Sequence, residues 1–370
     1  VNQVLLTVSG IIPSDLEQQI AAGRRPRADY LELARHFGAD LIDYRIARET
    51  SGPVGRLFER LGGPNLLLAW ACFTRRHRYQ AIVTDGEQVG LPLAALLKYF
   101  TPNRRPRHLM IVHVLSVPKK MIFLDRFAVH THIDRFMVYS TWQQRFITQR
   151  WGLPVKRVPF TPFMVDDRFF HPRHAPPRQT PRPQICAVGL ERRDYPTLLR
   201  AVDGLDADVV VAAASPWSKQ RDTTRNQPIP PNVRVQKFSQ YELRQLYSDS
   251  RFLVMPLEPV EFQAGVTAIL EAMAMERAVI CTATPGQTDV VVEGETGLYV
   301  PPRDPDALRK AIEHLLAEPE KAARMGRAGR RRVEEEMNLD HYAVRLTDFL
   351  YDTLTEVGVE PLSGKHKERL

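Results

Sequence analysis

Short apolar runs alternate with helix-patterned segments along this chain, twice over, and that alternation narrows the fold more than any other feature. Runs at 4–8, 39–44, 81–84, 109–114 and 136–139 have the length of buried strands. Between them, Tyr30 to Phe37, Leu91 to Phe100 and Thr141 to Trp151 carry helical spacing. Strands separated by helices pair in parallel, and the helices cover both faces of the sheet. His171 to Gln184 then brings five prolines and no apolar periodicity, which reads as an extended interdomain linker. After it the alternation resumes with strands at 185–188, 209–214, 233–235, 252–255 and 278–282, and a helix from Tyr195 to Val202. The polar, proline-containing stretch Trp217 to Pro231 reads as a mobile loop. The expected class is α/β, with two Rossmann-like domains whose open parallel sheets face a central cleft at the carboxyl ends of their strands, where ligands bind in such folds.

A length of 370 residues suits two domains. At 44% hydrophobic and 25% charged, the composition excludes a disordered or membrane-embedded chain. The longest apolar run, Leu66 to Phe73, is too short to span a bilayer. Val1 to Val8 lacks the basic start of a signal peptide and reads as a first strand, so a cytoplasmic chain is expected. Cys72, Cys186 and Cys281 lie far apart without metal-ligand spacing and are expected to be buried, reduced thiols. No glycine fingerprint of a dinucleotide-binding dehydrogenase follows the first strand.

Charge is lopsided. Residues 1–180 hold 26 Lys and Arg against 14 Asp and Glu, whereas the remainder holds 25 against 29. The basic clusters are Arg24, Arg25 and Arg27; Arg75, Arg76 and Arg78; Arg104, Arg105 and Arg107; and Lys119 with Lys120. They form either a solvated surface or a face toward an anionic partner, which could be a membrane surface on its cytoplasmic side or a phosphorylated acceptor. Nucleic acid is not expected, because no basic and aromatic residues interleave and no known motif is present.

The chemistry concentrates in QAGVTAILEAMAMERAVICTATPG, from Gln263 to Gly286. With a helix starting near Gly265, the N–H groups of Gly265, Val266 and Thr267 lack intrahelical partners and point at an anion such as a diphosphate. Glu271 then sits on the same face as Thr267, ~6 Å further along the axis, where a carboxylate can accept two ribose hydroxyls. The alternative is structural: Glu is a good helix former and complements the dipole early in a helix. Its apolar neighbours make the helix a buried one, in which an unpaired carboxylate is costly.

This stretch resembles the C-terminal half of the retaining GT-B glycosyltransferases of family 4. The resemblance continues through FSQYELRQLYSDSRFLVMPLE and EGETGLYVPPRDPDALRKAIEHLL, and takes in FMVYSTWQQRFITQRWGLPVKRVPFTPFMVDDRFFHP at the end of the first domain. It implies an N-terminal acceptor-binding domain over 1–170, a linker at 171–184, a nucleotide-sugar domain over 185–337, and a last segment, 338–370, whose helix from Leu339 to Thr355 returns to the first domain. Glu271 matches the glutamate that holds the donor ribose. Gln263 stands where the family has the glutamate that contacts the transferred sugar. In GLERRDY, Gly189 ends the strand, Leu190 replaces the family's diphosphate-gripping arginine, Arg193 matches its lysine, and Arg192 is placed to restore the lost charge. Gly10 after the first strand matches the family's glycine loop, and His113 its mid-domain histidine, although a histidine near a strand end also serves structural roles. Asp85 and Glu87 end a strand and are candidates for acceptor hydroxyls, or equally a turn and a helix cap.

The expectation is therefore a metal-independent, retaining hexosyltransferase without cofactor. It would move a sugar from a UDP- or GDP-sugar to a hydroxyl acceptor, free or lipid-linked, in glycolipid, polysaccharide or small-molecule glycoside synthesis. The rival readings are a sugar-nucleotide epimerase of similar fold and a non-catalytic sugar-nucleotide-binding scaffold.

Overall fold

The computed structural model describes residues 3–101, 105–213 and 228–356. In chain order, the first elements are β1 (Val4–Thr7), α1 (Leu16–Ala21), α2 (Asp29–Phe37), β2 (Ala39–Ile42), α3 (Tyr44–Thr50), α4 (Gly52–Arg75), β3 (Ala81–Asp85), α5 (Glu87–Phe100), β4 (Arg107–Val112), α6 (Pro118–Asp125), β5 (Arg135–Val138) and α7 (Thr141–Trp151). They are followed by β6 (Gln184–Val188), α8 (Tyr195–Val202), β7 (Asp208–Ala212), β8 (Val233–Gln236), α9 (Gln240–Asp249), β9 (Phe252–Met255), α10 (Val266–Ala274), β10 (Ala278–Thr282), β11 (Gly297–Val300), α11 (Pro305–Ala317), α12 (Pro319–Glu336) and α13 (Leu339–Thr355).

Two compact units result. The first draws on the described parts of 1–14, 28–161 and 343–370, and the second on those of 15–27 and 162–342. The first holds a parallel five-stranded sheet in the order β2-β1-β3-β4-β5, and the second a parallel six-stranded sheet in the order β11-β10-β9-β6-β7-β8. Each sheet reverses its winding direction once, beside β1 and beside β6. The loops leaving β1, β3, β6 and β9 therefore flank the crevice that parallel sheets open at such a reversal.

Eight of the eleven strands are almost wholly buried and largely aliphatic, as a sheet covered on both faces requires, whereas the edge strands β2, β8 and β11 are partly exposed. In the second unit, α10 is buried over almost its whole length and packs between the sheet and α12. Helix starts are fixed by side chains: Ser140 caps α7, Asp194 caps α8, and Ser239 with Glu242 forms a reciprocal capping box on α9.

Several readings change against the structure. The proline-rich stretch is packed onto the second unit along part of its length. Ala175 is 2% exposed, its carbonyl accepts from Ser248, and Arg178 pairs with Asp249 at 2.6 Å. Prolines preclude regular structure there, yet their carbonyls remain good acceptors, and the boundary between units falls at 161/162. Members of three basic clusters are also engaged internally: Arg105 and Arg107 both pair with Asp134, Arg27 bridges Asp166 and Asp340, and Lys120 pairs with Glu87. Arg104 lies outside the described residues, as do residues 217–227 of the expected loop. The three cysteines are free and buried, and burial pushes each thiol up to about 12.

Within the first unit, the part of α13 from Ala343 onward packs beside the sheet, with Arg135 paired to Glu356 at 2.7 Å and Arg345 donating to Thr161. No helix among the described residues is long and apolar enough to cross a membrane.

Candidate functional site

The second unit gathers its candidates where β6 and β9 end. Gly189 follows β6 at φ +102° and Gly265 precedes α10 at φ +78°, conformations that glycine adopts without steric penalty. Both lie against one side chain. A Cβ on Gly189 would collide with Arg193 Nη2, and one on Gly265 would come within 3.2 Å of the same nitrogen and 2.7 Å of Met255 Sδ. Arg193 is only 5% exposed and is held from behind by its own loop. Its Nε donates to the Val188 carbonyl at 2.9 Å and its Nη1 to that of Glu191 at 2.5 Å. Tyr195 braces the same turn by donating to the Gly189 carbonyl. A buried guanidinium thus lies beside the free N–H groups at the start of α10, the combination that suits a diphosphate.

Glu271 sits on α10 at 5% exposure. Tyr247 of α9 donates to its Oε2 at 2.7 Å, the one hydrogen bond described for this carboxylate. Burial raises the Glu271 pKa to about 7, partly opposed by the Tyr247 hydroxyl. A carboxylate so desolvated gains from any further donor. Before the helix, both amide atoms of Gln263 are buried without a partner, as are Thr284 Oγ1 and Gln287 Oε1. Gln287 Nε2 donates to the Ala264 carbonyl, which ties the loop after β10 to the start of α10. Unsatisfied buried polar atoms are few in native folds, and donors or acceptors of a sugar would satisfy these.

The remaining candidates of this unit part company. Arg192 (φ +55°) turns away and pairs with Glu258 at 3.2 Å. Of the two arginines expected to act together, only Arg193 therefore lies against Gly189 and Gly265. Leu190 packs against the core under β6 and α8.

In the first unit, Asp85 ends β3 and His113 follows β4, and their side chains meet at 2.9 Å, each about two-fifths exposed. Burial pulls the His113 pKa down, but the Asp85 hydrogen bond and the charges of Asp85, Glu87 and Asp29 outweigh it and raise it to about 9. The ring is an imidazolium at neutral pH. Gln143 Nε2 holds the His113 carbonyl at 2.6 Å, and Tyr139 lies beside the ring. Ser9, leaving β1, donates to the Asp85 carbonyl at 2.9 Å, and Gly10 accepts from the Tyr44 N–H. Asp29, at the start of α2, is raised to about 6 by burial and by the Asp85 charge. The side chain of Glu87 is fully buried and receives the Val114 N–H at 2.5 Å and Lys120 at 3.3 Å, so it braces the loop carrying His113.

Residues 183–318 match the family described as glycosyl transferases group 1. Nearly the whole chain superposes on sucrose-phosphate synthase from Thermosynechococcus elongatus, with a TM-score of 0.71 at 18% identity, covering 96% of this chain and 99% of that one. The fold is GT-B. Sequence relatives match this GT-B chain over shorter stretches. Alpha-maltose-1-phosphate synthase of Mycolicibacterium smegmatis is 35% identical over 111 residues, 28% of this chain and 27% of that protein. The GDP-mannose-dependent alpha-(1-6)-phosphatidylinositol monomannoside mannosyltransferase of the same organism is 43% identical over 61 residues, 16% of each. The chain thus spans about a quarter or less of these curated relatives' length.

Tyr247, Ser9 and Asp29 were not singled out in the sequence. Tyr247 had a signal, since a tyrosine on a helix inside the resembling segment is a candidate partner for a buried acid. Ser9 and Asp29 reach the site only through the loop geometry after β1.

Proposed function

We propose that this chain is a hexosyltransferase that moves a sugar from a UDP- or GDP-sugar to a hydroxyl acceptor with retention. One observation carries the reading: Gly189 and Gly265, both at positive φ, close on the guanidinium of Arg193 at the head of the helix that bears the buried Glu271. The diphosphate lies on Arg193 and the α10 N–H groups, the ribose hydroxyls donate to Glu271, and Gln263 receives the sugar. As the glycosidic bond breaks, negative charge develops on the diphosphate, where a buried guanidinium and a helix start stabilise it without a metal. The departing phosphate oxygen takes the acceptor proton. In the first unit, Asp85, imidazolium His113, Ser9 and Asp29 offer acceptors and donors for a polar acceptor head, which is lipid-linked where the enzyme meets an anionic membrane on its cytoplasmic face.

Calorimetry with UDP, GDP and a panel of their sugars tests donor binding, and the anomeric configuration of the product, read by NMR, tests retention. Activity should persist in EDTA; loss that magnesium or manganese restores would refute the metal-free reading. Gln263 and Leu190, which depart from the family pattern, favour one second reading, a sugar-nucleotide-binding scaffold. Donor hydrolysis or transfer above background excludes it.

A further inference from the structure

Helix α4 is broken at Gly62 (φ −143°) and Gly63 (φ +74°), and its first half is built the wrong way round for a soluble protein. Val54, Leu57 and Leu61 follow the i, i+3, i+7 pattern of one helical face, yet they are 49%, 54% and 73% exposed. Gly55 faces inward instead, against Leu67. The apolar surface continues onto α5 and α6. Tyr99 and Phe100 project at the end of α5, Ile122 is exposed on α6 and Phe127 just past it, and an open apolar groove there is lined by Leu66, Leu96 and Phe123. Thirteen large apolar side chains are exposed among the described residues, and eight of them lie between Val54 and Phe127, too many in one region for the scattered exposure normal on a soluble surface.

Cations surround this patch. Arg56 and Arg60 flank the outward apolar face at one-turn spacing, and Lys119 and Arg126 lie on and just past α6; all four are exposed and make no described ion pair. The nearby acids are neutralised by other partners, Glu59 by Arg48 at 2.8 Å and Asp125 by Arg150 at 2.7 Å. An apolar helix face edged by free arginines, beside an open groove, is the pattern of a helix lying in the interface of an anionic bilayer.

We propose that the first half of α4, with the groove between α4, α5 and α6, docks the chain onto an anionic lipid bilayer. Val54, Leu57 and Leu61 enter the headgroup boundary while Arg56, Arg60, Lys119 and Arg126 meet lipid phosphates. This locates the membrane contact of the proposed function away from the Arg105 and Arg107 cluster, whose charge is engaged by Asp134. It rests on that reading only for its biological use, because vesicle binding is measured without donor or acceptor.

The test is flotation of the full chain with vesicles of phosphatidylcholine, with and without phosphatidylglycerol. The parent should float with the anionic vesicles only, less so as salt rises. Leu57→Ser with Leu61→Ser, and separately Arg56→Gln with Arg60→Gln, should each lower partitioning about tenfold or more, while Arg324→Gln with Arg327→Gln, on exposed positions of α12, leaves it unchanged. All three variants should keep the parent's melting temperature and nucleoside diphosphate affinity. Failure of the parent to float, parent-like flotation of both α4 variants, or an equal loss in the α12 variant would overturn the proposal. So would a concentration-dependent dimer, seen by light scattering, that the leucine changes abolish while vesicles remain unbound. Loss of nucleotide binding with flotation intact would instead count against the transfer reading.

Discussion

The crevice ends of the two sheets are built from different materials. In the second unit the site consists of backbone and deeply buried groups: two glycines, a helix start, and Arg193 and Glu271, each 5% exposed. In the first unit it consists of half-exposed titratable side chains, chiefly Asp85 and His113. On the proposed reading the second unit holds a diphosphate and ribose, whose shape is the same in every turnover, so rigid main chain can be set for them in advance. On that reading the first unit meets an acceptor, for which side chains that adjust are better suited. Substitutions in the second unit should therefore act mainly on affinity, and those in the first mainly on protonation and acceptor choice.

The largest effect should come from Arg193→Met, which keeps the stem and removes the charge. Nucleoside diphosphate affinity should fall by about 3 kcal/mol, the upper range for hydrogen bonds to a charged group, and Arg193→Lys should recover part of it. Calorimetry with UDP and GDP reads this directly; unchanged affinity would break the contrast between the units.

Glu271→Ala comes next, with a loss of ~1.5–3 kcal/mol in nucleotide binding. Its pH dependence sharpens the test. With a folded pKa of about 7 against an ordinary value near 4.5, the folded chain holds a proton that the unfolded chain has released between those pH values. Stability from this residue therefore falls as pH rises through that window. Glu271→Gln should flatten this slope in thermal melts while still weakening ribose binding. In the parent, nucleotide binding should strengthen as pH rises through about 7, because the ionised carboxylate is the better acceptor.

A smaller, local effect is expected from Asp85→Asn. The His113 ring signals in NMR should titrate near 9 in the parent, and the variant should bring this down by about one to three units as the opposite charge is lost. Because the folded pKa is raised above the ordinary 6.5, the stabilisation from this pair is complete below about 6.5 and disappears as pH rises through about 9. A parent histidine titrating near 6.5 would show that the pair is not formed in solution. The smallest effect should be that of Arg192→Gln. Its exposed ion pair with Glu258 contributes within about 1 kcal/mol, and diphosphate affinity should stay at the parent's value.

Most of the sheet architecture was readable before the structure, because parallel strands buried on both faces announce themselves as continuous aliphatic runs. The strands 252–255 and 278–282 and the helix Tyr195–Val202 fall where the apolar pattern puts them. The elements that went unread have physical reasons. Helix α4 is interrupted by Gly62, Gly63 and Pro64, and part of its apolar face points outward, so no inward periodicity marks it. β11 is four residues long and only partly buried. At the site, the Gly265 helix start and the burial of Glu271 followed from residue type and spacing. The separation of Arg192 from Arg193 did not, because it depends on a positive φ at Arg192 that no side-chain pattern encodes. Nor could spacing reveal that Glu87 points into the fold while Asp85, two residues earlier, points out.

The interleaving of the two units along the chain also bears on how such molecules can be recombined. A chimaera made by joining a foreign N-terminal half to residues 162–342 would leave behind the 15–27 segment and with it Arg27, whose guanidinium meets Asp166 at 2.9 Å and Asp340 at 2.7 Å. Asp166, whose side chain is 4% exposed, would then be a nearly buried charge without its cation. The same cut would strip the first unit of the part of α13 from Ala343 onward, which returns to it after the second unit ends at Tyr342. Exchange of the second unit between relatives therefore has to move two separate stretches of sequence together and leave the last helix from Ala343 onward with its original owner.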